Sequence, residues 1–148
     1  MTVDETIELV KRLMAGHKDF KGRDYHIHDL EVMDLLPPNA SDTEKKAAVL
    51  HSVFDDKAAT ERDLLTAGVE PEVIAIVRLV SNGPNVRGYR AYVEKCREIV
   101  ASGNVAAMRI KLADMLANVG HPTNNYTETI DIMREGLRRC EGGLADLG

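Results

Sequence analysis

The chain has 148 residues, of which 44% are hydrophobic and 29% charged. That is long enough for one domain with a buried core, and the balance excludes an intrinsically disordered chain. The formal net charge of -5 excludes a general nucleic-acid binder, which needs an excess of Lys and Arg, but not a binder of one small phosphate compound in a local basic pocket.

Aromatic residues make up only 4% and Trp is absent, so the core must come from Leu, Ile, Val, Met and Ala. Such a mix favours helices over sheets. In chain order, Ile7, Leu9, Val10, Leu13 and Met14 have amphipathic spacing and predict a helix over 3–20. The polar stretch KGRDYHIHD follows, then a short helix over 28–36 that Pro37 and Pro38 end. Ser41 and Glu44 have capping-box spacing and predict a buried helix running through AAVLHSVF, with Asp55 and Asp56 closing it or just past it.

Thr60 and Asp63 repeat the capping pattern ahead of a short helix that stops near Gly68. Pro71 suits the first turn of the next, largely apolar helix, EVIAIVRLV, which SNGPN breaks. A helix over 89–101 ends at Gly103, Asn104 caps another reaching Asn118, GHPTNN is a loop, and the last helix covers 126–139. The expected fold class is all-α, with seven or eight helices in a single domain spanning 1–148. The N-terminus lacks the apolar run of a signal peptide, and no stretch approaches the roughly 18–20 apolar residues of a membrane span, so a cytoplasmic protein is expected. Cys96 and Cys140 form no close-spaced pair and are expected to be free thiols.

Three segments carry chemistry. Lys111, Asp114 and Asn118 fall at i, i+3 and i+7, a narrow stripe on an otherwise apolar helix. The stripe reads either as a solvent-exposed edge or as part of a site. In AAVLHSVFDD, His51 sits in an apolar run, and Asp55 lies one turn on if the helix persists. The acids Asp55 and Asp56 at a helix C-terminus would oppose its dipole, which a metal ion would offset. In YHIHDLEV, His26 and His28 open an apolar helix, preceded by a basic cluster of Lys18, Lys21 and Arg23 that reads either as a solvated loop or as a phosphate clamp.

Taken together, GHKDFKGRDYHIHDLEV, AAVLHSVFDD with Thr60 and Leu64, and IKLADMLAN resemble the HD-domain phosphohydrolases of the RelA/SpoT hydrolase type, including the small stand-alone (p)ppGpp hydrolases. The resemblance runs from about Leu9 to Tyr126. It implies metal ligands at His28, His51 and Asp114, a set that suits Mn²⁺ or another first-row divalent ion. Asp29 stands where the family has proline, and Ser52 stands where the family's HD motif has its ligating aspartate. It also implies that Asp55 and Asp56 orient or deprotonate the attacking water. Lys111, Asn118 and Tyr126, with Lys21 or Arg23, are the implied nucleotide contacts. The implied activity is hydrolysis of a nucleotide phosphate, with (p)ppGpp the nearest substrate. Loss of the HD aspartate also admits a nucleotide-binding sensor without turnover, and the wider family admits a nucleotidase or dNTP hydrolase.

Overall fold

The computed structural model describes residues 1–83, 86–121 and 125–140. Residues 84–85 of the SNGPN break and residues 122–124 of the GHPTNN loop lie outside them. Among the described residues there are eight helices and no strand, an all-helical fold as expected: α1 (Val3–Leu13), α2 (Tyr25–Asp34), α3 (Asp42–Val49), α4 (Glu61–Ala67), α5 (Pro71–Val80), α6 (Gly88–Ala101), α7 (Val105–Ala117) and α8 (Thr127–Arg138). None is long and apolar enough to cross a membrane.

Local chemistry sets most of the boundaries. Thr2 accepts from the Glu5 amide while Glu5 returns a bond to the Thr2 amide, a full capping box that starts α1. The helix stops at Leu13 rather than near Phe20, because the chain turns at Gly16 with φ 85°. Ser41 caps α3, Thr60 and Asp63 form the expected box on α4, and Gly68 ends α4 in the left-handed conformation. Pro71 occupies the first turn of α5 and Asn104 accepts from the Ala107 amide at the start of α7.

Two helices differ from expectation where the site lies. The second begins at Tyr25, three residues earlier than expected, so His26 and His28 both lie in its first turn. The third ends at Val49 and does not run through Phe54. The Ala48 carbonyl explains the stop. It accepts both the His51 amide, at 3.3 Å, and the His51 ring Nδ1, at 2.7 Å, so the side chain competes for an acceptor the helix would have used. Residues 50–57 continue as tight turns. The acid pair therefore does not close a helix, and the expected opposition to a helix dipole does not arise.

The middle of the fold is α7. Ala107 to Ala113 and Met115 are all buried, and the helix packs against α2, α3, α5, α6 and α8. A helix apolar on nearly every side belongs at the centre of a core. Its polar residues Arg109 and Lys111 are therefore buried too, Asp114 is partly buried, and each needs a partner. Arg109 finds Glu44 of α3 at 3.2 Å. Lys111 and Asp114 point into the site.

Candidate metal centre and its cavity

Three elements bring the centre together. His28 comes from the first turn of α2, His51 from the turn after α3, and Asp114 from the last turn of α7. His28 Nε2 lies 2.9 Å from Asp114 Oδ1, and His51 Nε2 lies 3.3 Å from the same oxygen. The rings meet edge to face with centroids 5.3 Å apart. One donor atom from each residue falls within 4.8 Å of the other two, so the group could hold a metal ion.

The donor set fits a divalent first-row ion. Two ligands each ~2.1 Å from one ion, at tetrahedral to octahedral angles, stand roughly 3.0–3.4 Å apart. The two His–Asp114 distances are close to that. The His51 ring is already oriented: Nδ1–H donates to the Ala48 carbonyl at 2.7 Å, which turns Nε2 toward Asp114 and, once the ring is neutral, leaves the lone pair there. That Nε2 is buried and, apart from its 3.3 Å ionic contact with Asp114, has no hydrogen-bond partner among the described residues. Asn118 Nδ2 donates to Asp114 Oδ1 at 3.2 Å and holds the carboxylate in place.

The electrostatics are strongly coupled. Burial works against an imidazolium at His51, but the Asp114 charge, its hydrogen-bonding reach and Asp29 raise the ring to about 9. Burial likewise disfavours the Asp114 carboxylate, and the two histidines overcome it and hold Asp114 well below the usual range. Asp29 is pushed by burial up to about 6, against the attraction of His51. The Ser52 hydroxyl does not face the two imidazoles and Asp114 as a ligand; it donates to Asp29 Oδ1 at 2.9 Å.

A cavity of about 640 Å³ opens above this group. His51, Ser52, Asp55, Asp56, Lys111, Asp114, Asn118 and Tyr126 line it, so seven of the ten residues proposed from the sequence converge there. His28 lies just beneath, behind Asp114. Lys111 is almost fully buried; its Nζ donates to Asn82 Oδ1 at 3.1 Å and stands 4.9 Å over the Tyr92 ring. Tyr92 and Tyr126 meet edge to face at 6.3 Å. Asp55 is committed elsewhere: its carboxylate accepts from the Asn82 amide at 3.1 and 3.2 Å and from the Gly83 amide at 3.3 Å. Asp56 keeps a buried Oδ2 without a hydrogen bond among the described residues, and burial raises its pKa, helped by Asp55.

Lys21 and Arg23 are not part of this lining. Arg23 pairs with Asp19 at 2.8 Å and with Glu31 at 2.5 Å, and Lys21 sits 5.6 Å over the Phe20 ring. Conversely, the sequence alone did not point to Tyr25, Asn82 or Tyr92, which line the cavity. Tyr25 and Tyr92 are each one residue of an amphipathic pattern, with nothing local to separate them from core. Burial raises the pKa of both phenols, with the Asp114 charge adding to it, so both remain O–H donors.

Together these features define an all-helical protein with a largely buried His–His–Asp group at the base of a polar, tyrosine-walled cavity. No protein-family model matches the chain, and no curated protein matches it.

Proposed function

We propose that the protein is a metal-dependent phosphohydrolase acting on a nucleotide, with a (p)ppGpp-like 3'-pyrophosphate as the substrate class and Mn²⁺ as the metal. The observation that carries the reading is the convergence of His28, His51 and Asp114 beneath a cavity that also holds a buried ammonium, Lys111. The cytoplasm, where such nucleotides occur, is the compartment that goes with it.

A divalent ion held there supplies Lewis acidity toward water and a phosphate oxygen. The chain's own residues do the rest. Lys111 directs its charge to the phosphate, since its hydrogen-bond partner Asn82 is neutral and it forms no salt bridge among the described residues. Asp56 is the acid suited to take a proton from the attacking water, because burial raises its pKa and its Oδ2 is unpaired, whereas the Asp55 carboxylate is held by the Asn82 and Gly83 amides. The Tyr25 phenol lines the cavity as an O–H donor. Tyr92 and Tyr126 offer ring faces and edges to a nucleobase. Asn118 keeps Asp114 aligned.

The test is pyrophosphate release from ppGpp by the purified protein, followed by phosphorus NMR with and without Mn²⁺. Metal-dependent release is expected, and its absence with every divalent ion tried would sink the enzymatic reading.

A nucleotide sensor without turnover is the second reading. It is favoured by one observation: the Asp55 carboxylate is occupied by the Asn82 and Gly83 amides, so one of the two acids implied for catalysis serves as a loop anchor. A thermal shift with ppGpp but no hydrolysis would select it. Turnover of dNTPs in place of ppGpp would move the protein to the nucleotidase branch.

A further inference from the structure

We propose that Asp29 is a positioning residue of the metal centre: a buried carboxylate behind His51 that supplies the second negative charge a divalent ion needs, with Ser52 as its hydrogen-bond donor. This rests on the metal-centre reading above.

Asp29 follows His28 directly in α2, and its side chain is 0% exposed. Oδ1 accepts from Ser52 Oγ at 2.9 Å and lies 3.5 Å from His51 Nδ1. Oδ2 is buried and has no hydrogen-bond partner among the described residues. No Lys or Arg pairs with it among them either; the ionisable group against it is the His51 ring, which must give up its proton to hold a metal. An ionised carboxylate in that position is a poor way to stabilise a fold, because an apolar residue would fill the space without the loss of hydration. Its placement makes sense as charge balance. Two neutral imidazoles and Asp114 set one negative charge against a divalent cation. Asp29 brings the sum to zero without occupying a coordination position.

The geometry also defines how it acts. The Nδ1–H hydrogen bond of His51 goes to the Ala48 carbonyl at 2.7 Å, and the 3.5 Å approach of Asp29 is an electrostatic contact rather than a second hydrogen bond. A carboxylate on the ring nitrogen remote from the metal makes the facing nitrogen more basic and so a stronger ligand. Ser52 keeps the carboxylate turned toward His51. The buried position 52 is therefore occupied by the donor that Asp29 requires.

The experiment is Co²⁺ titration of the full chain, followed by the visible bands of the bound ion and by calorimetry. Four proteins are compared: wild type, Asp29→Asn, the double variant Asp29→Asn/Ser52→Asp, and His51→Ala as the control for the centre. Asp29→Asn keeps the volume and an acceptor for Ser52 but loses the charge. It is expected to bind Co²⁺ about 10–100-fold more weakly. The double variant moves the charge by one hydrogen-bond length and is expected to recover most of that loss.

If Asp29→Asn matches wild type while His51→Ala does not bind, the positioning role is overturned and the centre stands. A lower melting temperature of metal-free Asp29→Asn with unchanged Co²⁺ affinity marks a merely structural carboxylate and also overturns it. A double variant that stays as weak as Asp29→Asn removes the charge argument. If wild type itself fails to bind Co²⁺, the centre is wrong and the proposal falls with it.

Discussion

Two charged clusters hang on α2, and they are built on opposite terms. The outer one joins residues 18–24 to Glu31. In it Asp19 accepts from the Lys21 and Arg23 amides, each at 2.9 Å, and from Arg23 Nε at 2.8 Å. Arg23 continues to Glu31, and Lys18 pairs with Asp24 at 2.5 Å. Its charges are matched within the cluster. The inner one holds His28, Asp29, His51, Asp56, Lys111 and Asp114. There His51 Nε2, Asp29 Oδ2 and Asp56 Oδ2 are buried without hydrogen bonds among the described residues. A buried group with unused bonding capacity costs stability unless something else supplies the partner. The outer cluster holds a loop in shape, whereas the inner one has bonding capacity left for a ligand. From the sequence both looked like candidate sites, and their place relative to the cavity and their degree of internal satisfaction separate them.

The largest effect that would break this contrast is at Asp114. Asp114→Asn is expected to weaken Co²⁺ or Mn²⁺ binding by more than about 100-fold, beyond what outer partners of a ligand contribute, and to stop hydrolysis. Calorimetry reads it, and near-native affinity would place the ion elsewhere. Lys111→Met comes next. It keeps an unbranched stem but removes the ammonium, and should weaken nucleotide binding by roughly 10–100-fold, the worth of a hydrogen bond to a charged group. Metal affinity should change far less, and an equal loss of both would show that Lys111 supports the centre rather than the phosphate.

In the outer cluster the effect should appear in stability alone. Asp19→Ala removes three accepted bonds and is expected to cost about 1–3 kcal/mol in urea denaturation, with metal affinity unchanged. Its pH dependence follows from the same bonds. Burial opposes the Asp19 charge, but the Arg23 and Lys21 contacts outweigh it and lower the folded pKa below 3.8. The contribution is therefore complete above the ordinary carboxylate value and lost as the pH falls through the lower, folded one. Wild type should lose this increment on acidification and Asp19→Ala should not. The smallest effect belongs to Arg23→Ala and Lys21→Ala, which should leave nucleotide affinity where it was. A clear loss in either would bring the outer cluster into the site.

Much of the fold was legible in the residues because its signals are local. Thr60 with Asp63, Ser41, Asn104, Pro71 and Gly68 mark helix ends through bonds or conformations that involve a few neighbours in the chain. The stripe of Lys111, Asp114 and Asn118 follows from helical spacing alone, and all three do face one cavity. The overlong α1 failed on a local signal, the turn at Gly16, while the error at the site has a side-chain cause. The overlong α3 failed because the His51 ring takes the Ala48 carbonyl, which a residue pattern does not reveal.

What the sequence determined by itself, then, was the all-helical class, most of the helix ends and the short list of polar residues too apolar in context to be ordinary surface. Tertiary structure decided which of those residues meet. His28, His51 and Asp114 are remote in the chain and become neighbours only because α2, the turn after α3, and α7 pack together. It also decided that Arg23 faces its own loop, and that Asp29 and Ser52, 23 residues apart, share a hydrogen bond beside His51. Helix signals lie within a turn or two of chain, but the balance of buried charge depends on every element that surrounds it.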